Sequence, residues 1–177
     1  MPSTGSAAPA TGGARARIPT TAERLRLPLH DRSQSRLAER WGFDLNAADA
    51  SERAEALLAQ APADPDRLLL AAAVRSSRGD DRGAVAAAQA AVDADDGSAR
   101  AHTTLATLLA GGDPGAAQRH AARAVELAPD DPIAVYNRGL TAWAVGDHRG
   151  ARADFDRVAG LLGLAPLPWW QRWRRTR

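Results

Sequence analysis

The sequence of 177 residues contains no cysteine, which excludes disulfide bonds and every metal or redox site that needs a thiolate. This absence is compatible with a reducing cytoplasm. The longest wholly apolar run, Leu68 to Val74, is far too short to cross a bilayer. The N-terminus also lacks the apolar stretch of a secretory signal. We therefore expect a soluble, cytoplasmic protein.

Lysine is absent as well, so all 23 basic residues are arginine. We attribute this bias to a GC-rich, bacterial genome rather than to selection for guanidinium groups. Residues 1–40 hold seven Arg against three acids, residues 166–177 hold four Arg and no acid, and the region between holds 12 Arg against 18 acids. The sequence thus predicts an acidic scaffold with two basic ends, an asymmetry that can steer partners.

Aromatic residues are scarce, because the chain has five Trp, one Tyr and two Phe against 42 Ala. Alanine-rich helices form readily, since alanine loses no side-chain entropy on folding. Such helices can pack closely, but little large apolar volume remains to lock them together. The composition predicts a helical domain of modest stability.

Three Gly-Asp dipeptides divide the chain at intervals of 33 and 34 residues, and the sequence contains no others. They are Gly79-Asp80, Gly112-Asp113 and Gly146-Asp147. A series of alanines keeps the same step, namely Ala50, Ala84, Ala117 and Ala151. Because alanine is abundant, the Gly-Asp spacing is the stronger indication of an internal repeat.

Residues 130–158, DDPIAVYNRGLTAWAVGDHRGARADFDRV, contain one whole repeat unit. A first helix carries Gly139, the Gly146-Asp147 turn follows, and a second helix presents Ala151 and Phe155 one turn apart. This unit resembles a tetratricopeptide repeat (TPR), a family in which a small residue in the first helix lets the second approach and an alanine and an aromatic ring fill the gap.

Four positions depart from the pattern of that family. Arg138 stands where the family usually has Leu, and Gly163 where it has Pro. In an earlier unit, Arg75 replaces the usual aromatic residue and Ala88 replaces a large one.

The resemblance implies an all-α fold, a right-handed superhelical solenoid of about four helix-turn-helix repeats. A single repeat cannot bury its own apolar face, so at least about three must stack. The third unit is one residue short, and we place the missing residue in its turn. We place the repeats at residues 31–64, 65–98, 99–131 and 132–165. The flanking segments are a disordered tail over residues 1–20, a basic strap over 21–30, and a Trp/Arg-rich capping helix or tail over 166–177.

The resemblance also implies a binding surface, because the first helices of such stacks line a concave groove that commonly holds a peptide of a partner protein. The positions that match this groove are Arg100, Thr103, Thr104, Tyr136, Asn137, Leu140 and Trp143. The spacing of Tyr136, Leu140 and Trp143 predicts one apolar stripe. Asn137 matches an asparagine that some family members use to hold a partner's C-terminal carboxylate, but the cationic partners of that clamp are not evident. The alternative is that the two aromatic rings pack against a neighbouring helix or the chain's own tail.

The last twelve residues, PLPWWQRWRRTR, form a second candidate site. If Pro168 begins a helix, its three tryptophans cluster on one face. We expect this segment either to close the stack or to bind a partner, and its composition also permits contact with a membrane surface or nucleic acid. Its candidate contact residues are Trp169, Trp170, Arg172, Trp173, Arg174 and Arg175.

The pattern of titratable residues predicts neither enzymatic activity, nor a cofactor, nor a metal site. The histidines are scattered without metal-ligand spacing, and the acidic pairs lack the closing Glu of a calcium loop. The sequence therefore predicts a non-enzymatic adaptor that holds a segment of a partner protein in its groove or through its C-terminal segment. The alternatives are a peripheral module recruited to anionic membrane or nucleic acid by the basic ends, and a structural subunit of a larger assembly.

Overall fold

The computed structural model describes residues 43–45 and 47–163, and these residues form seven α-helices and no strand. The helices are α1 Ala50–Gln60, α2 Pro65–Ser77, α3 Asp81–Ala94, α4 Ala99–Leu109, α5 Pro114–Leu127, α6 Pro132–Ala144 and α7 His148–Leu161. The predicted all-α solenoid is confirmed for this part of the chain. The N-terminal tail, the basic strap, the first helix of the first repeat and the Trp/Arg segment lie outside the described residues.

The helices pack as successive pairs, α2 with α3, α4 with α5, and α6 with α7. Each pair contacts the next through its second helix, and α1 packs against α2. The first helices α2, α4 and α6 also contact one another in turn. These three helices therefore lie side by side and form a continuous surface, which we call the first-helix face.

The Gly-Asp dipeptides form the corners between the two helices of each pair. Gly79 and Gly146 adopt left-handed backbone angles, with φ of 80° and 86°, which only glycine reaches without strain. The aspartate that follows each corner glycine caps the next helix: the carboxylates of Asp80, Asp113 and Asp147 accept the backbone N–H three residues on, at 2.8–2.9 Å. One dipeptide thus ends the first helix and begins the second.

The third unit differs from this scheme in its first helix. Helix α4 has 11 residues, whereas α2 and α6 have 13 each. The connection after α4, residues 110–113, is longer than the connections at 78–80 and 145–147. The missing residue therefore comes from the helix and not from the turn, contrary to our expectation. Paired glycines, Gly111 and Gly112, explain this early end because glycine is unfavourable in a helix interior.

The core contains many alanines and few large side chains. The four alanines that keep the repeat spacing, Ala50, Ala84, Ala117 and Ala151, are all fully buried. The largest fully buried side chains include Leu69, Leu70 and Leu105. Helices whose facing residues are this small can approach closely, so the predicted packing through small contacts is confirmed.

The last pair replaces an alanine contact with an aromatic ring packed against a glycine. In the two preceding pairs the eighth residues of the facing helices are alanines, whereas in the last pair they are Gly139 and Phe155. The Phe155 ring occupies the space that a side chain at Gly139 would need. It also contacts the Tyr136 ring, with centroids 5.7 Å apart. Glycine here creates the space that the ring fills.

A repeated arginine links each of the last two pairs to the connection that precedes it. Arg123 of α5 lies 3.7 Å from the carboxylate of Asp96, and Arg157 of α7 lies 3.5 Å from that of Asp130. Arg157 also donates a hydrogen bond of 2.7 Å to the carbonyl oxygen of Pro129. Both the arginines and the aspartates are separated by 34 residues, so the contact keeps the repeat register.

We predict that Gly139→Ala lowers the free energy of unfolding by about 1–3 kcal/mol, because a Cβ there would lie 2.8 Å from Cε1 of Phe155. Gly160→Ala is the matched control, since Gly160 lies in α7 and a Cβ there meets nothing within 4 Å. That control should be neutral or stabilising by up to about 1 kcal/mol. Urea unfolding of both variants checks the prediction, and equal midpoints would contradict it.

Candidate functional site

The first-helix face is held together by polar contacts between neighbouring first helices. Arg100 of α4 lies 3.3 Å from the Asp66 carboxylate of α2. The Thr107 hydroxyl of α4 donates to the carbonyl oxygen of Thr103 at 2.9 Å and lies 3.2 Å from the side-chain oxygen of Asn137 on α6. These contacts fix the helices relative to one another, so the face is formed before any partner binds.

Four of the predicted groove residues are accessible on this face. The Arg100 side chain is 53% exposed, Trp143 is 51% exposed, and Thr104 and Leu140 are half-buried. Thr107, which the sequence analysis did not include, is also exposed and lies one helical turn beyond Thr103. The i, i+4 spacing between Thr103 and Thr107 could have identified Thr107 as a candidate residue of this face.

Two predicted groove residues belong to the interior. Tyr136 is only 3% exposed and packs on Phe155, so its ring is part of the core. Thr103 is 8% exposed, and its hydroxyl donates to the carbonyl of Ala99 at 2.8 Å. The predicted exposed stripe through Tyr136, Leu140 and Trp143 is therefore not formed, and the alternative of packing against a neighbouring helix holds for Tyr136.

Asn137 is engaged within the molecule. Its amide nitrogen donates to the carbonyl of Ile133 at 2.9 Å, and its oxygen lies 3.2 Å from the Thr107 hydroxyl. Both polar atoms therefore connect α6 to itself and to α4. The side chain orders the face, and this arrangement gives no support to a carboxylate clamp.

Trp143 stands at the end of α6, where an apolar corner reaches the surface. Its ring contacts the His148 ring at 4.4 Å between centroids, with the planes inclined by 54°. Val145 beside it is 42% exposed. Indole, isopropyl and imidazole groups thus form an accessible patch at the α6–α7 corner.

A shallow cleft of about 270 Å³ opens between α5, α6 and α7. Among the residues that line it, Arg138 pairs with Asp154 through two hydrogen bonds, of which the one from Nε is 2.8 Å long. The Arg138 side chain is 33% exposed, whereas that of Asp154 is 8% exposed. The hydrogen bonds that Arg138 donates to the Asp154 carboxylate raise the pKa of Arg138. The arginine that replaces the usual leucine is thus matched by a buried carboxylate. The cleft is lined by Gln118, Ala122, Arg138, Ala142, Asp147, Gly150, Ala153 and Asp154.

The other unusual arginine is matched in the same way. Arg75 of α2 replaces the aromatic residue of the family and lies 2.7 Å from the Glu55 carboxylate of α1. It also donates to the carbonyl of Gly83 in α3 at 3.3 Å. One guanidinium therefore joins three helices where a ring would have filled the space.

Within residues 43–45 and 47–163, no group of three or more His, Asp or Glu residues could hold a metal ion. No helix in this part of the chain is long and apolar enough to cross a membrane. The six candidate residues of the C-terminal segment, Trp169 to Arg175, lie outside it.

We predict that Arg138→Leu lowers the free energy of unfolding by about 2–4 kcal/mol, because it leaves the buried Asp154 carboxylate without its cation. Asp154→Ala should cost only about 1 kcal/mol, since Arg138 can still reach water. The double variant should regain most of the loss, as the corresponding positions in α2 and α3 are Ala71 and Ala87. Urea unfolding of the three variants is the measurement, and additive losses would refute this account.

Comparison with protein-family models finds no match, and comparison with curated proteins finds none either. Among solved structures, a crystal structure of MamA superposes with a TM-score of 0.57 at 19% identity, covering 81% of this chain and 75% of that chain. A second crystal structure of MamA gives a TM-score of 0.58 at 16% identity, covering 83% and 85%. MamA is a TPR-like helical repeat protein, and at these identities the likeness shows the fold alone. The chain therefore has the fold of a TPR-like helical solenoid.

Proposed function

We propose that this protein is a non-enzymatic, TPR-type scaffold that holds a segment of a partner protein on the first-helix face. The observation that carries the proposal is the exposed Trp143 at the end of a face whose helices are already fixed to one another. Tryptophan is enriched at the energetic centres of protein interfaces, because its ring supplies a large contact area at little cost in conformational entropy.

The face offers three kinds of contact to a peptide. Trp143 and Leu140 supply apolar area, the hydroxyls of Thr104 and Thr107 can bond to peptide groups, and Arg100 supplies a charge that Asp66 already orients. Because these groups stand on three packed helices, little ordering is needed on binding. Neighbouring helices lie about 8–10 Å apart, so an extended segment of roughly six residues would cross all three.

The proposal also retains the predicted repeat boundaries, the predicted location and the predicted role of the C-terminal segment. We propose that the chain forms four units, at residues 31–64, 65–98, 99–131 and 132–165, in the cytoplasm. We further propose that the segment 166–177, with Trp169, Trp170 and Trp173, either closes the stack or adds a second contact with the partner.

We predict that Trp143→Ala lowers recovery of the partner in a cross-linked pull-down from the source cells by about 30-fold, the loss expected of an interface hot spot. Leu161→Ala is the matched control, because Leu161 is also an exposed large apolar residue, at 38%, but lies at the far end of α7. That control should recover the same proteins as the unchanged chain.

A truncation after Ala165 and a salt series complete the experiment. Binding to membrane or nucleic acid through the basic ends would weaken steeply between low and moderate salt concentration. It would be unchanged by Trp143→Ala. Loss of recovery on truncation alone would assign binding to the C-terminal segment. Either result, or equal recovery with Trp143→Ala, would overturn binding at the first-helix face.

A further inference from the structure

Two histidines meet inside the α4–α5 pair, next to the connection that joins α3 to α4. His102 of α4 is 3% exposed, and its Nδ1 lies 3.1 Å from Nδ1 of His120 on α5. The two rings have centroids 5.3 Å apart. On its other side, Nε2 of His102 lies 3.1 Å from the carbonyl oxygen of Asp96, in the connection between the pairs. His102 therefore links this connection to α5.

The contacts determine which nitrogen carries the proton on each ring. A carbonyl oxygen only accepts hydrogen bonds, so Nε2 of His102 must carry hydrogen and donate it to Asp96. The Nδ1 of neutral His102 is then an acceptor, and Nδ1 of His120 must donate to it. The neutral pair thus has one arrangement, in which His102 is protonated at Nε2 and His120 at Nδ1.

This arrangement can accept one proton but not two. The first proton can bind Nε2 of His120, which leaves the contact between the two Nδ1 atoms in place as a charge-assisted hydrogen bond. A second proton must bind Nδ1 of His102. Two N–H groups would then face each other at 3.1 Å between two adjacent cations, so the contact must open.

The charged groups around the pair act in opposite directions. Burial lowers the pKa of His120, nearby His102 and Arg119 lower it further, and Asp96 raises it. The Asp96 carboxylate lies 3.3 Å from Nε2 of His102, but it is 75% exposed and also faces Arg123 at 3.7 Å. Arg123 in turn pairs with Glu126 at 3.3 Å. Solvent screening and this shared pairing weaken the support that Asp96 gives to a cation on the His120 ring.

No other helix pair of the described stack has two histidines at these positions. The positions that correspond to His102 hold Leu68 and Val135, and those that correspond to His120 hold Ala87 and Asp154. Neither ring forms a hydrogen bond or an ion pair with a charged group of α2, α3 or α6 within residues 43–45 and 47–163. Among the described residues, the histidine pair is therefore confined to the α4–α5 pair.

We propose that the His102–His120 pair is an acid-sensitive latch, which holds the connection at Asp96 against α5 at neutral pH and opens when both rings are protonated. The inference is independent of the proposed partner binding, because it concerns only the α4–α5 pair and the connection that precedes it.

The direction of the pH effect follows from proton binding. The closed pair can accept at most one proton, whereas the two rings of the open pair can each accept one. Because the closed state binds fewer protons than the open one, its stability is complete above the ordinary histidine pKa of 6.5 and declines as the pH falls below it; the lowered pKa of His120 acts in the same direction. The latch therefore weakens on acidification and closes again when neutral pH is restored.

The test uses the full chain and the His120→Asn variant. Asparagine has a helix propensity similar to that of histidine, and its amide can donate to His102 without titrating. The urea midpoint of the unchanged chain should fall between about pH 6.5 and pH 5, together with faster amide exchange over residues 95–102. His120→Asn should remove most of this fall, and His148→Gln, which alters a distant exposed histidine, should retain it.

A second measurement on the unchanged chain needs no variant. Nitrogen-15 NMR at neutral pH should show His102 protonated at Nε2 and His120 protonated at Nδ1. The opposite state for either ring would overturn the latch, as would an acid response that is equal in the unchanged chain and in His120→Asn.

Discussion

The stack depends on the close approach of the two helices in each pair, which small facing side chains permit. Alanine occupies the equivalent core positions in the α2–α3 and α4–α5 pairs, and in the last pair Gly139 makes room for Phe155. Close packing of this kind gains many weak dispersion contacts and buries little area per residue. Stability therefore comes from the fit of each pair, and one added methyl group at the wrong position disturbs it.

Where large apolar residues are missing, polar pairs hold the helices together. Arg75 meets Glu55, Arg138 meets Asp154, and His102 meets His120, each between different helices. Directional contacts of this kind fix the register of neighbouring helices more tightly than alanine faces alone can do. They also make the structure depend on protonation and on the presence of both partners, as an aliphatic core would not.

The sequence was sufficient to predict what is determined locally. The Gly-Asp corners and the helices between them follow from backbone preferences and capping, and they appear at the predicted places. The burial of individual groove residues was not predictable in the same way. Tyr136 and Trp143 share a helix face by spacing, but they lie about 10 Å apart along the axis. Phe155 covers the middle of α6, whereas the end of the helix has only His148 beside it. The spacing of residues along the chain could not show that His102 and His120, which stand on different helices, lie in contact.

The arginine that reaches back from the second helix of a pair has a consequence for how such a chain can grow. Arg123 and Asp96, and likewise Arg157 and Asp130, lie within one block of 34 residues. A tandem duplication of the gene segment that encodes such a block copies both partners together. A new unit would therefore carry both members of its own Arg–Asp ion pair, and the number of repeats can change in evolution without compensating substitutions elsewhere.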